Sequence, residues 1–148
     1  MNIDQRGLEL IKDFEGFRDE AYKDTGGVWT IGYGTIRYPS GTPVEEGDGC
    51  DEEQAEEYLM NDVASSVQAV NDYITVELNQ NQFDALVSFT YNLGVGALKN
   101  STLRKLVNAQ DFQNAAKEFM KWCHCDGQVV PGLLARRTKE SYLFLSEN

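Results

Sequence analysis

The chain has few of the residues on which several common chemistries depend. It holds one histidine, His124, and three cysteines, Cys50, Cys123 and Cys125, in 148 residues. Nothing supports a serine triad, and His124 reads as an exposed or satisfied side chain rather than a catalytic imidazole. An odd cysteine count excludes a secreted disulfide framework. In Cys123-His124-Cys125 the neighbouring side chains project in different directions, and the second ligand pair of a zinc site is missing, so no metal and no cofactor is expected. Reduced thiols in turn suggest the cytosol. No apolar run approaches the roughly twenty residues of a membrane span, and Asp4, Arg6, Glu9, Lys12 and Asp13 interrupt any leader-like stretch, so no membrane anchor is expected.

Basic residues are missing from one long segment. Residues 38–98 carry twelve acidic and no basic side chains, whereas residues 99–148 carry eight basic and five acidic ones, within a total of −11. Such an acidic middle repels phosphate backbones and anionic lipid heads, which argues against nucleic acid or a membrane surface as the main partner. What remains is ordinary globular material. Hydrophobic residues at 41% and charged ones at 25% suit a soluble enzyme or binding domain, and a chain of this length buries roughly two-thirds of its unfolded surface.

The punctuation of the chain predicts its organisation. Asp4 caps a first helix that Gly16 stops, delivering Glu15 at its C-terminal end. From Tyr22 to Tyr38, β-formers follow Gly26-Gly27 and are broken by Gly32 and Gly34, which predicts a small antiparallel hairpin region. A loop rich in glycine and proline leads to Asp51 and Gln54, spaced as a capping box, and a helix is expected over about 51–72. Asn79, Ser101 and Asp111 then cap shorter helices, the last through Trp122, and Pro131 opens a final one. The expected fold is α+β and mostly helical: a β-bearing lobe at about 15–50, a connecting helix at about 51–72, and a helical lobe at about 73–148 joined by residues 1–14. Two lobes imply a cleft between them.

Glu15, Asp24 and Thr30 stand at a helix end, before a Gly-Gly turn, and on the strand that follows. Glycoside hydrolysis asks for such a set: a neutral acid for the leaving oxygen, a carboxylate for the water, and a hydroxyl to hold that water. With 24 acidic residues in the chain, spacing alone says little, and context decides. Phe14-Glu15-Gly16-Phe17-Arg18, Ala21-Tyr22-Lys23-Asp24 and Gly27-Val28-Trp29-Thr30-Ile31-Gly32-Tyr33-Gly34 together resemble the phage-type lysozymes (endolysins), glycoside hydrolase family 24. Phe89-Thr90-Tyr91-Asn92-Leu93-Gly94 with Ser101-Thr102-Leu103, and Pro131-Gly132-Leu133 with Arg136, Arg137 and Glu140, resemble that family's later blocks.

The resemblance implies a lysozyme-like fold and a muramidase acting on bacterial peptidoglycan, with catalytic roles falling on Glu15, Asp24 and Thr30. Glu15 becomes a general acid, partly desolvated by Phe14 and Phe17. Asp24 becomes the base or electrostatic stabiliser, and Thr30 positions the water, with inversion at the sugar. Arg137 matches the arginine lying against the catalytic glutamate, so a Glu15–Arg137 contact is expected. Tyr91, Ile36 and Ser101 are expected as substrate contacts. Trp29, Tyr33 and Tyr38 are further ring candidates, and Trp122 reads as core.

One departure stands out: where the family often carries histidine after Gly-Tyr-Gly, this chain has Thr35, which bears on the stability of the β-lobe rather than on the chemistry. Asp24 and Thr30 argue for hydrolysis over the water-free cleavage that leaves an anhydro sugar, and an intact set argues against a wall-binding module without turnover. A monomer is expected, and with no anchor in the sequence the resemblance implies that it accumulates in the host cytoplasm. It would reach the periplasm or cell wall at lysis through a separate holin-like pore.

Overall fold

A computed structural model describes residues 1–147. The chain divides into two compact units, Ile11–Ala64, and Met1–Leu10 with Ser65–Asn148. It is α+β and mostly helical, with two small antiparallel sheets among the described residues, as the sequence predicts.

In the unit Ile11–Ala64, the end of α1 (Gln5–Glu15) is followed by strands β1 (Arg18–Lys23) and β2 (Trp29–Gly32), and then by α2 (Glu52–Asp62). The strands pair antiparallel, with Tyr22 opposite Thr30, Lys23 opposite Trp29 and an irregularity between Arg18 and Tyr22. β1 begins at Arg18, earlier than its charged sequence suggests. Its other edge is also occupied: Ala21 N donates to Asp48 O and Cys50 N to Asp19 O, each at 2.9 Å, so backbone pairing on both sides holds a strand of low β-propensity. Beyond β2, Ile31 and Thr35 exchange two backbone bonds of 2.9 Å and close a tight loop over Gly32-Tyr33-Gly34. Ile11, Ile31, Tyr33, Val44, Ala55 and Leu59 form the buried apolar centre of this unit.

Helix α2 starts as expected. Asp51 accepts from Gln54 N at 2.7 Å while the Gln54 side chain accepts from Asp51 N at 3.0 Å, which completes the box. The single helix expected over 51–72 is instead two, α2 and α3 (Ala64–Tyr73), separated at Val63. The irregularity is one residue wide, since Val63 keeps φ −81° and ψ −8° and its N–H still bonds Leu59 O at 2.9 Å.

The other unit is built around α4 (Gln80–Leu93), opened by the Asn79–Gln82 box and closed at Gly94. Every residue from Phe83 to Thr90 is buried, so α4 is surrounded along most of its length. It packs on α8 (Pro131–Leu145), and α7 (Phe112–Phe119) packs on both α8 and α6 (Thr102–Asn108), with the short α5 (Val95–Lys99) between α4 and α6. Phe89, Phe119 and Phe144 meet at centroid distances of 5.6 and 5.5 Å, and Trp122 adds an edge-to-face contact with Phe89 at 5.5 Å, the core role the sequence favours. Helix α7 stops at Phe119 rather than Trp122. A hairpin follows, β3 (His124–Cys125) with β4 (Gln128–Val129). No helix among the described residues is long and apolar enough to cross a membrane.

Candidate active site

Glu15, Asp24 and Thr30 all lie in the unit Ile11–Ala64, each fixed by backbone geometry. The chain leaves α1 at Gly16, whose N–H bonds Lys12 O at 2.9 Å, so Glu15 occupies the last helical position, half-buried. Its carboxylate lies close against the Gly32-Tyr33-Gly34 loop: a Cβ built on Gly34 would come within 3.2 Å of Glu15 Oε2, and Gly34 has φ +96°. Glycine is required there twice, for the approach and for the dihedral. One turn earlier on α1, Lys12 Nζ pairs with Glu56 of α2 at 3.1 Å and lies 5.5 Å from the centre of the Tyr33 ring. Phe17 packs on the same ring at 5.6 Å. These contacts hold the end of α1, the loop and α2 together around Glu15.

Asp24 follows β1 and turns the chain toward β2. Its Oδ1 accepts from Gly26 N at 2.8 Å and Val28 N at 2.9 Å, while its own N–H donates to Val28 O at 3.0 Å. Two amides on one oxygen hold the carboxylate of this exposed residue in place. Thr30, 4% exposed, donates its hydroxyl hydrogen to Val28 O at 3.0 Å, so its oxygen is left with lone pairs to offer. Val28 thus joins the two side chains: its N–H orients Asp24 and its carbonyl orients Thr30.

Ile36 is in the same unit and 49% exposed. Tyr91, Ser101 and Arg137 belong to the other unit. Tyr91 is half-buried in the last turn of α4. Ser101 is a buried cap of α6, its hydroxyl donating to Leu98 O at 2.8 Å and accepting from Arg104 N at 3.0 Å. Arg137 is fully buried in a charged cluster. Its Nε lies 2.8 Å from Glu140 Oε1, a charge contact without the aim of a hydrogen bond, while its Nη2 donates to Asn92 Oδ1 at 2.6 Å and the guanidinium faces the Phe89 ring. Glu140 also accepts from Ser88 Oγ at 2.5 Å and from Arg136 Nε at 3.4 Å. Burial pushes the Glu140 carboxyl up and the Arg137 guanidinium down, and each is opposed by the charge of the other. Glu15 and Arg137, expected in contact from the sequence, belong to different units.

The model of the phage lysozyme family matches residues 12–140, a span that takes in all three site residues. The chain belongs to the phage lysozyme family. It is 49% identical to an endolysin of Bacillus phage B103 over 99% of its own length and 55% of that protein's, so it spans about half the length of that relative. Among solved structures, an endolysin from Escherichia coli O157:H7 phage FAHEc1 is 44% identical with a TM-score of 0.92, covering 98% of this chain and 94% of that one. The muramidase domain of SpmX from Asticaccaulis excentricus is 39% identical with a TM-score of 0.87 over 99% of both chains. The fold is therefore lysozyme-like.

Beside these family features, sequence reasoning missed the partner of Thr35. Thr35 is fully buried and donates to Asp62 Oδ2 at 2.7 Å, tying the loop after β2 to the end of α2 where the family often has histidine. Burial holds the Asp62 carboxyl above its ordinary value, and the Thr35 bond pulls it back. Gly34 reads as a break after the strand, but its close approach to Glu15 was missed. No group of three or more metal-ligating side chains occurs among the described residues, and Cys50, Cys123 and Cys125 are free thiols.

Proposed function

We propose that this phage lysozyme family member is a muramidase, hydrolysing the β-1,4 bond between N-acetylmuramic acid and N-acetylglucosamine in bacterial peptidoglycan and serving as a phage endolysin. The observation that carries the reading is the Val28 linchpin. It holds Asp24 by its Oδ1 and uses up the one hydroxyl hydrogen of Thr30, so both side chains present acceptors. A water between two acceptors gives each of them a hydrogen and keeps a lone pair for the anomeric carbon. In this mechanism Glu15 protonates the departing glycosidic oxygen as the C–O bond breaks. The water oxygen bonds the anomeric carbon, its proton passes to Asp24, and the configuration inverts. Both carboxyls then return to their starting forms by proton exchange with solvent.

Arg137 enters this reading as the positive charge beside Glu15, and Tyr91, Ile36 and Ser101 as sugar contacts. A double-mutant cycle of Glu15→Gln with Arg137→Lys measures the first. The chain acts as a monomer, made in the host cytoplasm and passed to the wall through a separate pore.

Products from purified peptidoglycan decide between hydrolysis and water-free cleavage. Released muropeptides carrying a reducing end and the mass of one added water support the proposal, and anhydro sugars contradict it. Thr30→Ser is expected to retain most of the rate, whereas Thr30→Val loses an acceptor to the water and about 100-fold in rate.

A further inference from the structure

Helix α1 carries Glu15 at one end and an unusual pair of acids at the other. Asp4 caps its start, with Oδ1 accepting from Arg6 N at 3.0 Å and Gly7 N at 3.3 Å. Asp84 of α4 comes against this cap: Asp4 N donates to Asp84 Oδ1 at 3.3 Å, and the two carboxyls are near enough for each to shift the titration of the other. Asp84 is fully buried. Gln80 Nε2 serves its Oδ1 at 2.8 Å, but Oδ2 has no donor. Two carboxylates in contact repel, and a sealed carboxylate oxygen without a donor is costly. One proton removes both difficulties, because a protonated Oδ2 becomes a donor to its neighbour.

Other charges near the pair do not replace that proton. Arg6 points its Nη1 at Asn81 Oδ1 at 3.1 Å, and the Met1 ammonium bonds Asn71 of α3 at 3.0 Å. Glu9 bonds Gln5 on α1, and Glu147 meets α4 through its backbone carbonyl at Asn81. The Glu140, Arg136 and Arg137 cluster meets α4 at Ser88, one turn farther along. The fit is tight at the pair itself: a Cβ on Gly7 would lie 2.8 Å from Asp84 Cγ, so the first turn of α1 rests directly on this carboxyl.

We propose that Asp84 and Asp4 share one proton at neutral pH, an acid donating to a carboxylate, and that this bond locks the start of α1 onto α4 and makes Asp84 a positioning residue for Glu15. Burial first, and the bonded Asp4 second, push the Asp84 carboxyl up to about 7, while the same bond lowers Asp4. The shared proton stands independently of the enzymology. The link to Glu15 rests on the catalytic reading above.

Asp84→Asn supplies an amide donor to Asp4 at every pH, so unfolding of the full chain and this variant is compared from pH 4 to 9. Folded Asp84 keeps its proton after the unfolded chain has lost it near pH 4. The stabilisation is thus whole below that point and is lost as pH rises to about 7. The unfolding constant of wild type relative to Asp84→Asn is expected to climb about tenfold per pH unit across that window and then level off. A ratio that stays flat, or moves the other way, overturns the shared proton. Should the variant fail to fold, the carboxyl ¹³C resonance of Asp84 in the wild type gives the same answer: a midpoint near 7 supports it and one near 4 overturns it.

For positioning, kcat on peptidoglycan relative to Asp84→Asn is expected to fall severalfold above pH 7 with KM unchanged. A constant kcat ratio beside a changing stability ratio overturns positioning alone. Absence of activity in both proteins, with the stability ratio still changing, points to failure of the catalytic reading instead.

Discussion

Acidic side chains are used in opposite ways in the two units. In Ile11–Ala64, half-buried Glu15 lies close against the Gly34 loop, and exposed Asp24 is oriented by the Gly26 and Val28 amides. In the other unit Asp84 and Glu140 are sealed from water and held by side chains: a second carboxyl for one, Ser88 and two arginines for the other. Accessible acids are the ones that the proposed reaction can use. Sealed acids held by side chains tie neighbouring elements to one another. The presence of an acid in the chain therefore says little about its use until its solvent access and the source of its hydrogen bonds are known.

Three changes break or sharpen this contrast. The largest stability effect belongs to Glu140→Gln, which leaves Arg136 and Arg137 buried without their counter-charge. A loss of about 3–5 kcal/mol in urea unfolding is expected, with a rate per folded molecule that falls far less than for a change at Glu15. Next is Gly34→Ala. The methyl group would crowd Glu15 Oε2 at 3.2 Å from a dihedral that alanine avoids, so a loss of about 10- to 100-fold in kcat accompanies only about 1–2 kcal/mol of stability. The smallest is Thr35→Val, which removes the 2.7 Å donor from half-buried Asp62 and costs about 1–2 kcal/mol at neutral pH. That cost shrinks as pH falls through the raised Asp62 value, because a protonated carboxyl no longer depends on the threonine. Thermal unfolding at several pH values measures it.

Much of the fold was legible because its signals are local. The Asp51–Gln54 box, the Asn79 and Ser101 caps, the stop at Gly16 and Pro131 at the first turn of α8 each act within four residues, and each stands where the sequence places it. The β3–β4 hairpin had a local signal that went unused. Asp126-Gly127, with φ +52° and +78°, is a two-residue turn of the kind hairpins favour, overlooked beside the cysteines. The early start of β1 depends on contacts distant in sequence, the bonds to residues 48–50, which propensity does not report, and nothing in the structure explains the division of the 51–72 helix at Val63.

Glu15, Asp24 and Thr30 are singled out by a motif, since their spacing alone is common among so many acids. The supporting residues were not. Asp62, Gly34 and Asp84 act across 27, 19 and 80 positions of chain, and only the folded backbone brings each to its partner.

The central claim is that the chemistry resides in an accessible acid at the end of α1 rather than in the buried charges. Reducing-end release from purified peptidoglycan by the wild type and by Glu15→Gln, with unfolding curves for both, tests it directly. The account predicts a loss of about 1,000-fold or more in rate with the unfolding midpoint nearly unchanged, since the amide keeps the shape and removes the proton. Equal rates in the two proteins, or no release by either, would contradict it.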